Sequence, residues 1–174
     1  MIRERLRRLA GRGGRRGAAT AVIVPVPEAR RVVPEWTLAM EPHVTVLYPF
    51  VPASGIDDAL IGALREVLAG VAAFDLALAT VRRFPGVLYL APEPAAPFVA
   101  MTEACARRWP QHPPYGGAFP EVVPHLTLAE GPEPPGLAER AASMLPLRAR
   151  AETAWLMTPR PGGGWKRRAL IPLG

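Results

Sequence analysis

Hydrophobic positions in this chain fall in short runs broken by proline and glycine, and their spacing alternates between the twofold period of a strand and the 3.6-residue period of a helix. Thr20 to Val24 is the first apolar run and predicts a strand. Pro27 to Trp36 has room only for a short helix or turn, because Pro34 interrupts it. His43 to Tyr48 predicts a second strand, which Pro49 and Pro52 end. Ser54 suits a helix cap with Asp57 and Asp58 in the first turn. Ile56, Leu60, Leu64, Val67 and Leu68 then recur at helical spacing through Val71.

Phe74 to Val81 and Val87 to Leu90 bracket Arg82-Arg83-Phe84-Pro85-Gly86, and the Pro-Gly pair predicts a hairpin turn. Ala96 to Trp109 reads as a second helix. A loop from Pro110 to Pro120 leads to a strand around His125 to Ala129, and Leu137 to Leu145 predicts a third helix. Leu147 to Met157 and Trp165 to Pro172 predict a closing hairpin around Pro161-Gly162-Gly163-Gly164. The order looks like one unit used twice. It predicts an α+β protein: bilobal, with two mainly antiparallel sheets, outer helices in a pseudo-twofold arrangement, and a central cleft where two similar strands face each other.

Those two strands share a motif. Pro42-His43-Val44-Thr45-Val46 returns as Pro124-His125-Leu126-Thr127-Leu128, so two of the three histidines occupy the same setting 82 residues apart. In an extended strand His and Thr two positions apart point one way while the intervening apolar residue points the other. Each copy therefore presents an imidazole and a hydroxyl together. Imidazole, with an ordinary pKa of about 6.5, lets one copy accept a proton and the other donate one near neutral pH. The hydroxyls can hold an anionic oxygen between the rings. A tetrahedral phosphate, with attacking and leaving oxygens on opposite sides, fits such a pair.

Charge and composition narrow the setting. The formal charge of +6 resides in residues 1–17, which carry seven arginines and one glutamate, whereas the remaining 157 residues balance 14 basic against 14 acidic side chains. The leader is expected to be disordered and residues 18–174 to form one bilobal domain. Pro25 and Pro27 interrupt the only stretch resembling a secretory signal. No apolar run approaches the ~20 residues that span a bilayer, so no membrane partner is expected. The single cysteine, Cys105, excludes an internal disulfide framework and suits a reducing cytoplasm. Three scattered histidines without a carboxylate or cysteine cluster make a poor coordination set, so no metal or other cofactor is expected.

The paired motifs, with the trailing Val46-Leu47-Tyr48-Pro49-Phe50 and the stretch Arg83-Phe84-Pro85-Gly86-Val87-Leu88-Tyr89-Leu90, resemble the two-histidine (2H) phosphoesterases. The resemblance covers roughly residues 18 to 173 and is to the bacterial 2′-5′ RNA ligase and cyclic phosphodiesterase-like branch. It implies a metal-independent enzyme for 2′,3′-cyclic phosphates or 2′-5′ linkages of RNA ends or small nucleotides, with ligation as the reverse reaction. It also implies His43 and His125 as acid and base, without saying which is which, and Thr45 and Thr127 as phosphate-binding residues. A monomer is expected. A noncatalytic RNA-binding or scaffold protein that keeps the fold is the alternative.

Arg83, Phe84, Tyr115 and Trp165 lie in or beside predicted loops and are candidates for substrate contact; Phe119 and Arg167 are further ones. Strict alternation puts Tyr48 with Val44 and Val46, on the core side. His112 reads as an ordinary loop histidine, Ser143 and Cys105 as helix residues, and Gly162 to Gly164 as a turn without the lysine of a phosphate loop.

Overall fold

The computed structural model describes residues 18–35, 40–119 and 121–174. The arginine-rich leader, Trp36 at the end of the first predicted turn, and Pro120 lie outside these residues.

Eight strands form two four-stranded antiparallel sheets. The first sheet has the order β2 (His43–Leu47), β1 (Ala21–Pro25), β7 (Thr153–Pro159), β8 (Trp165–Pro172). The second has β5 (Leu126–Glu130), β4 (Val87–Glu93), β3 (Phe74–Phe84), β6 (Leu147–Ala151). The repeated unit is thus interlocked: β3 leaves the first half to join the second sheet, and β7 returns from the second half to the first. Both motif strands are edge strands, and residues of β2 and β5 come within 8 Å of each other, Cα to Cα.

The helices cover one side. Helix α1 (Asp58–Leu68) packs on α2 (Ala96–Arg108) and β8, α2 packs on β2, and α3 (Leu137–Ser143) packs on β3. Val22, Val24, Val44, Val46, Leu126, Leu128, Leu64 and Phe98 belong to one core that spans both sheets and the helices. At roughly 25 cal/mol per Å² of apolar surface removed from water, each fully buried Leu or Val there contributes about 1.5–3 kcal/mol.

Three expectations need correction. The cap of α1 is Asp57, whose carboxylate accepts from the Leu60 N–H at 2.8 Å; Ser54 sits in a separate 3₁₀ turn, Ala53–Gly55. The segment Leu147 to Met157 is two strands, β6 pairing with β3 and β7 pairing with β1 and β8, because the chain crosses between sheets at Glu152. Tyr48 does not join Val44 and Val46. Ile23 pairs with Thr45 and Val22 with Leu47, so Val46 is an extra residue, and after this bulge Tyr48 falls on the Thr45 side. There it packs with Ala21, Ile23, Met157, Trp155 and Trp165.

The same bulge recurs in the other half. Tyr89 pairs with Thr127 and Leu88 with Ala129, leaving Leu128 as the extra residue. Val46 and Leu128 are the last residues of their motifs, so the backbone irregularity is duplicated along with the sequence. Each bulge lets two successive residues, Val46 with Leu47 and Leu128 with Ala129, be buried. The Val46 carbonyl accepts the buried Thr102 hydroxyl of α2 at 2.9 Å, which ties the helical layer to the motif strand.

Candidate active site

Val44 and Val46 on β2, and Leu126 and Leu128 on β5, are buried at 2% exposure or less. Their neighbours His43, Thr45, His125 and Thr127 are half-buried and alternate to the other side, away from the helix-covered core. Anchoring by the apolar residues is therefore what aims the polar ones, and the adjacency of β2 and β5 sets both pairs along one seam.

The two imidazoles are fastened alike. His43 Nδ1 lies 2.7 Å from the Glu41 carbonyl and His125 Nδ1 lies 2.8 Å from the Val123 carbonyl, each two residues upstream. A carbonyl can only accept, so each Nδ1 carries the hydrogen and donates it. In the neutral ring this leaves the lone pair on Nε2, an atom that can take a proton, and in the imidazolium the Nε2–H can give one.

Around His43 the anchor is itself braced. Arg30, at the end of the 3₁₀ turn Pro27–Arg31, forms a two-pronged ion pair with Glu41, its Nε 2.6 Å from Oε1 and its Nη2 on Oε2. The Glu41 carboxylate raises the already high pKa of Arg30 through this hydrogen bond and its charge. Val26 N–H donates to the Pro42 carbonyl at 2.7 Å, so the residues before His43 are pinned from two sides.

Around His125 the setting is aromatic. Phe84 and Tyr89 stack at 4.2 Å, and their centroids lie 5.2 and 5.6 Å from the imidazole at steep angles. Tyr115 lies nearly parallel to the imidazole at 6.2 Å. This burial lowers the His125 pKa below its ordinary 6.5, opposed in part by the hydrogen bond to Val123. It also pushes the Tyr115 phenol up to about 12. Tyr115 holds a left-handed backbone, φ 52°, a conformation that costs a side chain with a Cβ roughly 1–2 kcal/mol. Its N–H donates to the Tyr48 carbonyl at 2.7 Å, which links the loop that covers His125 to the end of the other motif strand.

The sequence candidates thus separate. Phe84 and Tyr115 border His125. Trp165 opens β8 and meets Tyr48 edge-on at 6.1 Å on the Thr45 side of the first sheet. Arg83 pairs with Leu88 on the opposite face from Tyr89 and Thr127, and is bound by both carboxylate oxygens of Glu133 at 3.0 and 3.1 Å, which leaves it committed to the helical side. Phe119 is exposed beside Tyr115. His112 packs edge-on against Phe50, and burial lowers its pKa. Ser143 donates to the Arg140 carbonyl, and burial raises the Cys105 thiol to about 12, so neither is poised as a nucleophile.

Tyr89, Arg82 and the carbonyls of Glu41 and Val123 complete the surroundings without having been singled out in the sequence. A two-residue turn at Pro85-Gly86 pairs Arg82 with Tyr89, so the hairpin itself could have placed both on one face. Among the described residues no group of three or more His, Cys, Asp or Glu could hold a metal ion. No helix among them is long and apolar enough to cross a membrane.

The model of the 2′-5′ RNA ligase superfamily matches residues 20–162, most of the chain. Among solved structures, E. coli LigT in complex with 3′-AMP superposes with a TM-score of 0.58 at 14% identity, covering 89% of this chain and 97% of that one. TT0787 of Thermus thermophilus gives 0.59 at 20% identity over 89% and 97%. A structure described as a phosphoesterase gives 0.53 at 16% identity over 89% and 98%. These likenesses establish a shared fold. No curated protein matches the sequence significantly.

Proposed function

The chain belongs to the 2′-5′ RNA ligase superfamily, and from that premise we infer that it is a metal-independent phosphoesterase acting on 2′,3′-cyclic phosphate or 2′-5′ phosphodiester linkages of RNA ends or small nucleotides. The observation that carries this reading is the duplicated geometry: two His-x-Thr units on neighbouring edge strands, each imidazole tied by Nδ1 to the carbonyl two residues upstream. The likeness to a protein solved with 3′-AMP supports a nucleotide as the ligand.

Hydrolysis of a cyclic phosphate requires a base for the attacking water and an acid for the departing ribose oxygen. Burial among Phe84, Tyr89 and Tyr115 favours neutral His125, which makes its Nε2 the acceptor. Water oxygen bonds to phosphorus as its proton passes to His125. The bond from phosphorus to the ribose 3′ oxygen breaks, and that oxygen takes the proton carried by His43. A 2′-phosphate and a 3′-hydroxyl result, and the two histidines have exchanged protonation states. Thr45 and Thr127 donate to the non-bridging oxygens, where charge gathers in the transition state. With a 5′-hydroxyl in place of water the same steps run in the same sense: the 5′ oxygen bonds to phosphorus as its proton passes to His125, the bond to the 3′ oxygen breaks, and a 2′-5′ linkage results.

The test is turnover of a 2′,3′-cyclic mononucleotide in the presence of a chelator, with His43→Ala and His125→Ala alongside. Turnover that survives the chelator, yields the 2′-phosphate and falls by about 10²–10⁴ in each variant is the expected result. Binding without turnover across cyclic and 2′-5′ linked substrates would instead identify a noncatalytic RNA-binding protein.

A further inference from the structure

Thr127 begins a row of side chains that crosses the second sheet on the site face. Thr127 is opposite Tyr89 and Tyr89 is opposite Arg82, so all three share that face. The matching row of the first sheet starts at Thr45 and continues through Ile23 and Trp155, neither of them charged. The two motif strands are alike, and the strands behind them are not. A cation stands behind Thr127, where the first sheet has apolar side chains behind Thr45.

Arg82 is exposed, and no carboxylate among the described residues forms an ion pair with it. Glu130, the carboxylate of β5, sits one row on, opposite Val87. Strand β6 pairs with β3 only as far as Leu78, which leaves Arg82 open on its outer side. Phe84, two residues along the same face, brings its ring to 5.2 Å from the His125 imidazole, so this end of β3 borders the His125 side of the site. Tyr89, between Arg82 and Thr127, is 4% exposed, and its hydroxyl has no hydrogen-bond partner among the described residues. Trp155 Nε1 alone among them is a side-chain polar atom both sealed from solvent and unpartnered, so the Tyr89 hydroxyl is open to a ligand.

We propose that Arg82 is a specificity-determining residue for the nucleoside that carries the 5′ oxygen, and that it binds a phosphate on that nucleoside's 3′ oxygen. The assignment rests on the phosphoesterase reading, in which the 5′ oxygen enters and leaves on the His125 side. In cleavage of a 2′-5′ linkage the 3′-hydroxyl oxygen bonds to phosphorus as its proton passes to His43. The bond from phosphorus to the 5′ oxygen breaks, and that oxygen takes the proton carried by His125. The departing nucleoside then lies over Tyr89. Two strand spacings, about 10 Å, separate Arg82 from Thr127, so the guanidinium meets the next charged group of the substrate and not the oxygens that Thr127 holds. Its fork of N–H donors suits two phosphate oxygens at once, and the Tyr89 hydroxyl adds a donor beside it.

The experiment compares kcat/KM for the 2′-5′ linked adenosine dinucleotide with and without a terminal 3′-phosphate, using the full-length chain. The wild type is expected to prefer the phosphorylated form by at least about tenfold. Arg82→Ala should abolish this ratio, and Arg82→Lys, which keeps the charge without the fork, should retain part of it. Arg83→Ala, which removes the neighbouring guanidinium on the helical side, should keep the ratio in full. Calorimetric affinities of the two dinucleotides, with His43→Ala introduced so that nothing is cleaved, read the same ratio without turnover. If no substrate is turned over, the phosphoesterase reading falls, and the binding ratio still decides the place of Arg82. A wild type without the preference, or an Arg82→Ala variant that keeps it, would overturn the proposal. An equal loss on both dinucleotides also keeps the ratio, and it would assign Arg82 to the reacting phosphate instead.

Discussion

His43 and His125 are held by the same hydrogen bond and set in opposite surroundings. The carbonyl that fixes His43 belongs to Glu41, whose side chain is clamped by Arg30, so the ring is positioned by an ionic brace at the surface. The carbonyl that fixes His125 belongs to Val123, 42% exposed and without such a brace, and here the ring is positioned by Phe84, Tyr89 and Tyr115. Equal geometry with unequal surroundings is what a base and an acid at one phosphate demand. The shared motif and bulge supply the symmetry, and in the proposed reaction the residues around them would set base apart from acid.

The contrast can be broken at several points. After the histidines themselves, the largest effect is expected at the hydroxyls. Thr45→Val and Thr127→Val keep the β-branched strand fit and should each cost about 10²–10³ in kcat on a cyclic substrate, the loss typical of a single donor to developing charge. A large loss at one threonine and none at the other would show that the phosphate is held by one motif alone.

A smaller effect is expected from the brace. Arg30→Ala frees the Glu41 segment, and a misaimed imidazole should lower kcat by roughly tenfold with KM little changed. Nitrogen NMR of the histidine rings reads the cause directly: the neutral His43 should pass from the Nδ1–H form to a mixture of tautomers, while His125 keeps its form. Arg30→Lys should restore part of the loss. An unchanged His43 tautomer in Arg30→Ala would remove the brace from the account.

The smallest is a shift in pH dependence. Phe84→Ala opens the aromatic wall, so the His125 pKa should rise towards 6.5, and the acidic limb of kcat/KM should move to higher pH with it. Stability carries the same sign. A histidine whose pKa is lowered by folding binds protons more readily in the unfolded chain, so stability falls as pH drops through about 6.5 towards the folded value. His112, also lowered by burial, adds to this slope. Chemical denaturation at pH 5.5 and 7.5 should show a smaller difference for Phe84→Ala than for the wild type; an equal difference would assign the slope to His112.

Much of this was legible in the chain because it is local. The His-x-Thr repeats lie in strands edged by proline, the Pro85-Gly86 turn makes its hairpin with Gly86 at φ 76°, and the apolar spacing of α1 and α2 places them within a turn of their observed ends. What escaped depends on pairing between distant segments. A bulge has no signature of its own in Val46-Leu47 or Leu128-Ala129, so Tyr48 was expected on the wrong side. Glu152 is no strand breaker, so the crossing from β6 to β7 could not be read. Arg82 and Arg83 are identical in type and adjacent in sequence, and only the register with Tyr89 and Leu88 decides which one faces the site. The role of Arg30 depends on Glu41, eleven residues on, which no periodicity connects to it.

The claim beneath all of this is that both imidazoles serve one phosphorus centre, and a double-variant cycle in kcat/KM on a 2′,3′-cyclic nucleotide tests it most directly. Groups that act as a unit lose their effect together. His43→Ala and His125→Ala should each reduce the rate by about 10²–10⁴, and the double variant should fall no further than the worse of the two. A single variant that keeps wild-type turnover, or a double variant whose loss is the product of the separate losses, would contradict the account.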